Sequence, residues 1–411
     1  MLRILLKKWI FLFIIIIFDL IIGLRTAADF FYFFFWFLLS VVALSLIWVL
    51  VEYIGATLHL ERKIPRRVIE DDILELEAVI KNKSILPLLN LVLEDNLSCA
   101  APEKRKKWAL LEYLGPSSSV TIKYSCECPL RGKYRIGPFS IFLFDPLGLF
   151  FLKKTFFVYS ELYVYPRIFE IPRFPELVKG IVPWFGMETS RVSGDEHEFY
   201  GVREYQRGDP IKKIHWLSTA RKNKLIVKLF QKLVFYRTTI IFNLNQDRNY
   251  GEGKKSVVEY TVKIAASVAK YLIDKGISVE IIAHTGEIVH MPFNKGQEHM
   301  EDIFKFLAVA QAESKIGMDE MFQEFSRHIP NDSSLVIIML DMDWEYLFAL
   351  LALKGKNISL VPLILISSSF LHPLEEQVIK DSQIMKLPKA FNFMPVFFSC
   401  GANLSEAFIK Y

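Results

Sequence analysis

The sequence predicts a chain in three parts: a transmembrane helical hairpin, an antiparallel β-sandwich, and an open, mostly parallel α/β sheet. Three observations predict it. Two apolar runs lie within the first 51 residues, residues 58–166 hold short segments alternating apolar with polar, and from residue 238 onward strand-like and helix-like periods take turns.

Hydrophobic residues make up 52% of the 411, and Phe alone contributes 35. That is high for a soluble chain and is concentrated near the N-terminus. Residues 9–24 are apolar apart from Asp19, and residues 30–51 carry no charge. The second run is long enough to cross a hydrocarbon core of about 30 Å as a helix. The first reaches that length when residues 4–6 are counted and Lys7 and Lys8 snorkel. The spans expected are 4–24 and 30–51, within a hairpin segment 1–57. A cleaved signal peptide ending near Thr26, Ala27 and Ala28 is the alternative, disfavoured by Arg25 and by the second run close behind. Asp19 reads as a helix contact or an interfacial position. Arg3, Lys7 and Lys8 precede the pair and Arg62, Lys63, Arg66 and Arg67 follow it, whereas the connecting loop holds Arg25 alone. The positive-inside rule then puts both ends in the cytoplasm, with the chain a multi-pass cell-membrane protein whose bulk is cytoplasmic.

Residues 58–167 are expected to form the sandwich. Segments 73–82, 119–130, 133–145 and 156–166 read as its strands, and the basic run 104–107 as a solvated loop. Residues 131–132, 137–138 and 145–150 are turn chemistry built on Gly, Pro and Asp. Residues 168–192 hold three prolines and no sustained period, so they are expected to be a linker to a domain spanning 193–411.

That domain opens with the densest mixture of charge and aromatics in the chain. A strand over 199–206 is expected to enter a tight turn at Arg207 and Gly208. Asp209 is then the expected N-cap and Pro210 the first helical residue of a helix ending near Asn223, with Trp216 in the core and a strand over 225–229. Beyond it come strands at 238–245, 334–341, 358–366 and 395–400, a hairpin turning at Thr285 and Gly286, and helices at 256–276, 297–312, 319–328 and 344–354. The 256–276 helix presents Val257, Thr261, Ile264, Ala265, Val268 and Leu272 on one face.

Net charge is +5 with both signs interspersed, which argues against nucleic-acid binding. The cysteines, Cys99, Cys126, Cys128 and Cys400, are too few for a disulfide framework. Cys126 and Cys128 share a strand face, but no further ligand stands at metal-binding spacing, so no cofactor is expected. No nucleophile–base pair and no phosphate-cradling loop is recognisable, so the chain does not read as an enzyme. The alternative places Arg203, Asp209, His215 and Arg221 around a pocket, as a ligand- or metal-binding sensor or a hydrolase.

Residues 201–221, GVREYQRGDPIKKIHWLSTAR, resemble the signature of the bacterial and archaeal domain of unknown function 58 (DUF58), with Arg203, Glu204, Tyr205, Gly208, Asp209, His215, Trp216 and Arg221 at its positions. Thr219 is one residue more than its plainest form, and Lys213 stands where arginine is usual. The turns at 131–138 and 145–150 and the order of the parts are similar too. The resemblance implies a C-terminal domain like that of von Willebrand factor A, a Rossmann-type open sheet. Such domains hold a divalent metal through Asp-x-Ser-x-Ser after the first strand and a later Asp. Here those places read Asn243, Asn245 and Asp247, with Asp341 later, a degenerate set that makes a metal unlikely. The resemblance also implies a partner, a MoxR-type AAA+ ATPase, and a scaffold role in an envelope or protein-assembly system.

Overall fold

An α-helix satisfies its backbone hydrogen bonds within its own segment, and two helices open the chain, α1 (Leu2–Thr26) and α2 (Asp29–Gly55). The computed structural model describes residues 2–26, 29–65, 67–175, 189–209, 211–233, 237–325, 334–343, 359–371 and 395–409. It divides into two units, Met1–Tyr165 and Pro166–Tyr411. Among the described residues one helix, Asp29–Gly55, is long and apolar enough to cross a membrane. Asp19 in α1 is buried, in keeping with a helix contact.

The rest of the first unit is β1 (Leu58–Lys63), β2 (Val68–Ile69), β3 (Ile73–Asn82), β4 (Leu88–Asn96), β5 (Lys106–Leu114), β6 (Ser119–Glu127), β7 (Gly132–Ile136), β8 (Phe139–Phe144), β9 (Phe151–Phe156) and β10 (Ser160–Tyr165). They form sheets β1-β3-β6, β5-β4-β8-β9 and β2-β10-β7, antiparallel except where β2 meets β10. Leu60, Ala78 and Ile80 from the first sheet and Leu91, Leu93 and Phe139 from the second share one apolar core.

Two expected strands divide. The segment 133–145 is β7 and β8 in different sheets, and 156–166 is the last residue of β9 followed by β10. Between β7 and β8, Gly137 has φ +119° and the Val158 carbonyl oxygen would lie 2.4 Å from any Cβ there, so the turn requires glycine. The basic run is only partly a loop: Lys104 ends a short helical turn, while Lys106 and Lys107 open β5, with Lys106 exposed and Lys107 half-buried.

Arg62 joins the three sheets. Its guanidinium is fully buried on β1 and pairs with Asp95 of β4. It also donates to the carbonyls of Ile136 (3.1 Å) and Val158 (3.3 Å) and to the Ser160 hydroxyl (3.3 Å), and it lies 4.0 Å over the Phe139 ring. The Tyr124 hydroxyl on β6 donates to the same Asp95 carboxylate. Burial first, and then that carboxylate, push its pKa far above the usual tyrosine value.

A second buried carboxylate seats the helices. Asp145 accepts the backbone N–H groups of Leu147 (3.0 Å), Leu149 (2.7 Å) and Phe150 (2.7 Å), and the Ser45 hydroxyl of α2 donates to it. The indole of Trp9 in α1 donates to the Leu149 carbonyl at 2.9 Å, and its ring meets Phe150 edge-on at 5.0 Å. Lower on α2, Glu52 accepts the Leu89 N–H at 3.0 Å, and Lys154 donates to the Ala56 carbonyl at 2.7 Å.

The second unit contains β11 (Thr189–Glu204), α3 (Trp216–Lys222), β12 (Ile226–Leu233), β13 (Arg237–Asn243), α4 (Val257–Asp274), β14 (Ser278–His284), β15 (Ile288–Asn294), α5 (Gln297–Val309), α6 (Met318–Phe325), β16 (Ser334–Leu340), β17 (Ser359–Leu365), α7 (Ser367–Leu371), β18 (Val396–Phe398) and α8 (Leu404–Ala407). Six strands make one sheet in the order β15-β14-β13-β16-β17-β18, parallel except for the hairpin strand β15 at its edge. Successive side chains on its inner strands enter opposite cores. Ile240, Phe242, Val336 and Ile338 pack with α4 and α5, while Ile241, Leu335, Ile337 and Met339 pack with Met318, Met321 and Phe322 of α6. Strands buried on both faces therefore read as unbroken apolar runs. Ser256 caps α4, and its six expected face residues are buried. The expected helix 344–354 lies outside the described residues.

The expected linker is partly structure. Phe169 donates its N–H to Ser267 at 3.0 Å, Phe174 stacks on Tyr271 and Phe408, and residues 189–192 belong to β11. Aperiodic aromatic burial leaves no pattern to read. Residues 176–188 of it lie outside the described residues.

Removing one partner of a buried ion pair strands the other, at a cost of about 3–5 kcal/mol. Asp95→Ala is expected to lower the unfolding free energy of the full chain in detergent by that amount, and with it the chemical-denaturation midpoint. Lys81→Ala, which breaks a half-exposed pair with Glu61, is expected to leave the midpoint in place.

Candidate functional site

The signature residues form a clasp between β11 and β12. At the end of β11, Arg203 grips Asp209 with both terminal nitrogens, at 2.7 and 2.6 Å. Asp209 also accepts the Gln206 N–H at 2.8 Å, and its own N–H donates to the Gln206 carbonyl at 3.0 Å, which closes the turn. Gly208 has φ +112° with open space around it, so the backbone conformation and not crowding selects glycine. The Tyr205 N–H donates to the Leu225 carbonyl and the His215 N–H to the Ile226 carbonyl, both at 2.8 Å. Glu204 pairs with Lys224 at 3.1 Å.

Two expected roles are corrected here. Asp209 is not a helix cap, because its carboxylate is committed to Arg203 and Gln206. His215 caps α3 instead, with Nδ1 accepting the Ser218 N–H at 3.3 Å and lying 2.6 Å from the Ser218 hydroxyl. Trp216 is not in the core but 65% exposed, since a helix starting at Trp216 places that residue and Leu217 on its free side. Asn223 ends the helix in the left-handed conformation, as expected. Thr219, the additional residue, accepts the Ile226 N–H at 3.0 Å and so ties α3 to β12. Pro210 lies outside the described residues. The structure brings Arg203 to Asp209 and His215 to Ser218, while Arg221 is exposed.

Ile211, Trp216 and Leu217 are all exposed large apolar side chains within seven residues of chain. Chain distance alone hides this, since an apolar residue at helical spacing reads equally well as core.

A second feature lies at the carboxyl ends of the parallel strands. From β13 the chain steps through α4 to β14 on one side, then returns through α5 and α6 to β16 on the other. Open sheets form a crevice at such a reversal. Here it has a volume of about 30 Å³ and is lined by Asn243, Asn245, Arg248, Thr261, Met339 and Asp343, among others. That is room for a water or two. The amides of Asn243 and Asn245 both donate to the Ile316 carbonyl, at 2.9 and 3.0 Å. The Asn243 side-chain oxygen is buried and meets no hydrogen-bond partner among the described residues. Arg248 and Asp343 form an ion pair across the opening. Burial pushes the Asp343 carboxyl up, and Arg248 pulls against it. Of the degenerate metal set, Asn243 and Asn245 line the crevice, Asp247 is exposed and Asp341 accepts the Ser367 N–H at 3.0 Å. Asp343 was not singled out in the sequence, because it enters the crevice only through a short turn after β16.

The third feature corrects the reading that Cys126 and Cys128 lack a further ligand. Cys99 joins them, and the three buried sulfur atoms lie within 4.8 Å of one another. Thiol hydrogen bonds from Cys126 and Cys128 hold the Cys99 sulfur well below its usual pKa, and the Cys128 thiol is pushed up correspondingly.

Clasp and crevice fall together within one recognisable segment. Residues 201–363 match the family model "Protein of unknown function DUF58". No curated protein matches the chain. Among solved structures, the chain is similar to the CARDB domain of a Pyrococcus furiosus protein crystallised with di-metal ions, at 17% identity over 27% of this chain and 94% of that one, TM-score 0.20. It is also similar to β-glucosidase from Listeria innocua, at 14% identity over 26% of this chain and 16% of that one, TM-score 0.16. The matched segment holds Arg203, Asp209, His215, Trp216 and Arg221 and every crevice residue named above.

The two carboxylates respond oppositely to pH. Arg203, then the Gln206 N–H, hold Asp209 below the ordinary aspartate range. Its folded value being depressed, its support of the turn is present above the unfolded pKa and lost as pH falls through the folded one. Amide exchange at Gln206, corrected for intrinsic rate, is expected to accelerate across that acidic window, and to be fast at every pH in Asp209→Asn. Asp343, raised, costs stability as pH rises from the ordinary carboxylate range through its folded value, so Asp343→Asn is expected to gain on the native chain in thermal melts over that rise.

Proposed function

We propose that the chain is a membrane-held interaction protein, whose clasp presents Ile211, Trp216 and Leu217 to a protein partner. The observation that carries this is the 65% exposure of Trp216 on a clasp held by a bidentate ion pair. A large rigid aromatic on a fixed element is the side chain most enriched in binding hot spots. The partner is a MoxR-type AAA+ ATPase, the one the DUF58 resemblance implies, and the second unit is a von Willebrand factor A-like domain, supported by its five parallel strands with helices over both faces.

The two N-terminal helices form the anchor, a hairpin with both ends cytoplasmic and the β-rich remainder at the inner face. Support comes from the outward exposure of Phe30, Phe33, Trp36 and Phe37 on α2. Beyond the Asp145 seat, residues 9–24 and 30–44 rise only about 24 and 22 Å at 1.5 Å each, short of the ~30 Å hydrocarbon core. Local thinning of the bilayer and snorkelling of Lys8 absorb the difference.

A second reading, a small-ligand sensor, is favoured by the buried Asn243 oxygen in the crevice, which meets no partner among the described residues.

Full-length protein in its native membranes is expected to resist carbonate extraction. In detergent it is expected to bind a purified MoxR-type ATPase of the same organism, and Trp216→Ala is expected to weaken binding by ~30-fold or more, the ~2 kcal/mol of a hot spot. Binding of equal strength in both proteins, or none in either, would sink the proposal. A thermal shift with a nucleotide or phosphate that Asn243→Leu abolishes would favour the sensor instead.

A further inference from the structure

Three cysteines from two separate chain segments meet in the first unit. Cys99 lies in the turn after β4, where the Leu97 N–H bonds to the Arg105 carbonyl at 2.7 Å and the Ala100 N–H to the Leu97 carbonyl at 3.1 Å. Cys126 is on β6, opposite Leu74 of β3. Cys128 follows two residues later on the same face. Its backbone bonds in both directions to the turn before β3, with its carbonyl accepting the Asp71 N–H at 2.9 Å and its N–H donating to the Asp72 carbonyl at 3.3 Å. All three backbones are therefore fixed by bonds unrelated to sulfur.

The sulfur atoms of Cys99 and Cys126 are 3.8 Å apart, and all three lie within 4.8 Å of one another. Three thiolates bound at about 2.3 Å around one ion in a plane stand about 4.0 Å apart. The cluster reaches that figure by side-chain shifts of less than about 1 Å. Its surroundings are Leu74, Leu76, Leu97, Ile136, Leu162 and Val164, all buried. Among the described residues no His, Asp, Glu or fourth Cys joins the group.

We propose that Cys99, Cys126 and Cys128 form a three-coordinate thiolate site for a soft, closed-shell metal ion, Cu(I). Thiolates select soft ions, and Zn²⁺ takes four ligands, of which this pocket supplies three. Binding joins three sulfur–metal bonds and releases the thiol protons to solvent, with no change of oxidation state. A trigonal site closed by aliphatic side chains keeps water and oxygen from the ion. It also staples the turn after β4 to β6, two segments that belong to different sheets.

The test uses full-length protein in detergent, reduced and metal-free, titrated with Cu(I) against a competing copper chelator, with Zn²⁺ in a parallel arm. One equivalent of Cu(I) is expected to bind, with three sulfur scatterers by X-ray absorption and a rise in melting temperature. Cys128→Ser and Cys126→Ser are each expected to weaken uptake by more than the ~10–100-fold that loss of an outer-shell partner costs. Cys400→Ser, in the other unit, is expected to leave it unchanged. The native stoichiometry and scattering stand as the readout even where a serine variant fails to fold. No Cu(I) uptake overturns the proposal, as does uptake that survives Cys126→Ser in a folded variant, retention of Zn²⁺ in preference to Cu(I), or a Cys99–Cys126 disulfide in the protein as isolated.

Discussion

A buried guanidinium has to be answered by acceptors inside the chain, and Arg62 shows how much structure that demand organises. Its side chain has no exposed surface, so each donor that finds no acceptor would cost desolvation without return. The acceptors come from β4, β7, the turn before β10, and β10 itself, while the Phe139 ring of β8 covers the plane. One residue thus connects all three sheets of the first unit. The same rule recurs at smaller scale at Asp145, whose carboxylate accepts three N–H groups of its own turn and the Ser45 hydroxyl of α2. The helices are seated on the β-rich part by polar bonds, in addition to the apolar contacts.

In the second unit the two recognisable features differ in kind. The clasp satisfies itself: Arg203 with Asp209, His215 with Ser218, Thr219 with Ile226. Outward it leaves Ile211, Trp216 and Leu217 among exposed charged residues that include Arg207, Lys212 and Arg221, and a framework closed by its own polar bonds is suited to holding an aromatic surface in place. The crevice is the reverse, a polar opening in which the Asn243 oxygen is unanswered among the described residues, beside a paired Arg248 and Asp343.

Much of this was legible from the residues. The apolar runs of the parallel sheet, the capped helix after Ser256, the hairpin at Gly286 and the antiparallel strand beside it follow from period and turn chemistry. Other parts were not, for identifiable reasons. Alternation continues through Gly137 and Pro138, so the change of sheet between β7 and β8 leaves no mark in the pattern. Asp before Pro is the usual sign of a helix start, yet Asp209 meets a stronger partner in Arg203. Trp216 is a large aromatic of the kind a core takes, and only the position of α3 decides which side it faces. Cys99 is 27 residues from Cys126, and no spacing rule joins a turn to a strand across two sheets.

The account places function on the apolar surface of the clasp. The most direct measurement is hydrogen exchange of the full-length protein with and without the purified MoxR-type ATPase. The account predicts slowed exchange across residues 205–222, with the crevice loop 243–249 unaffected. Protection confined to 243–249, or none in either segment, would contradict it.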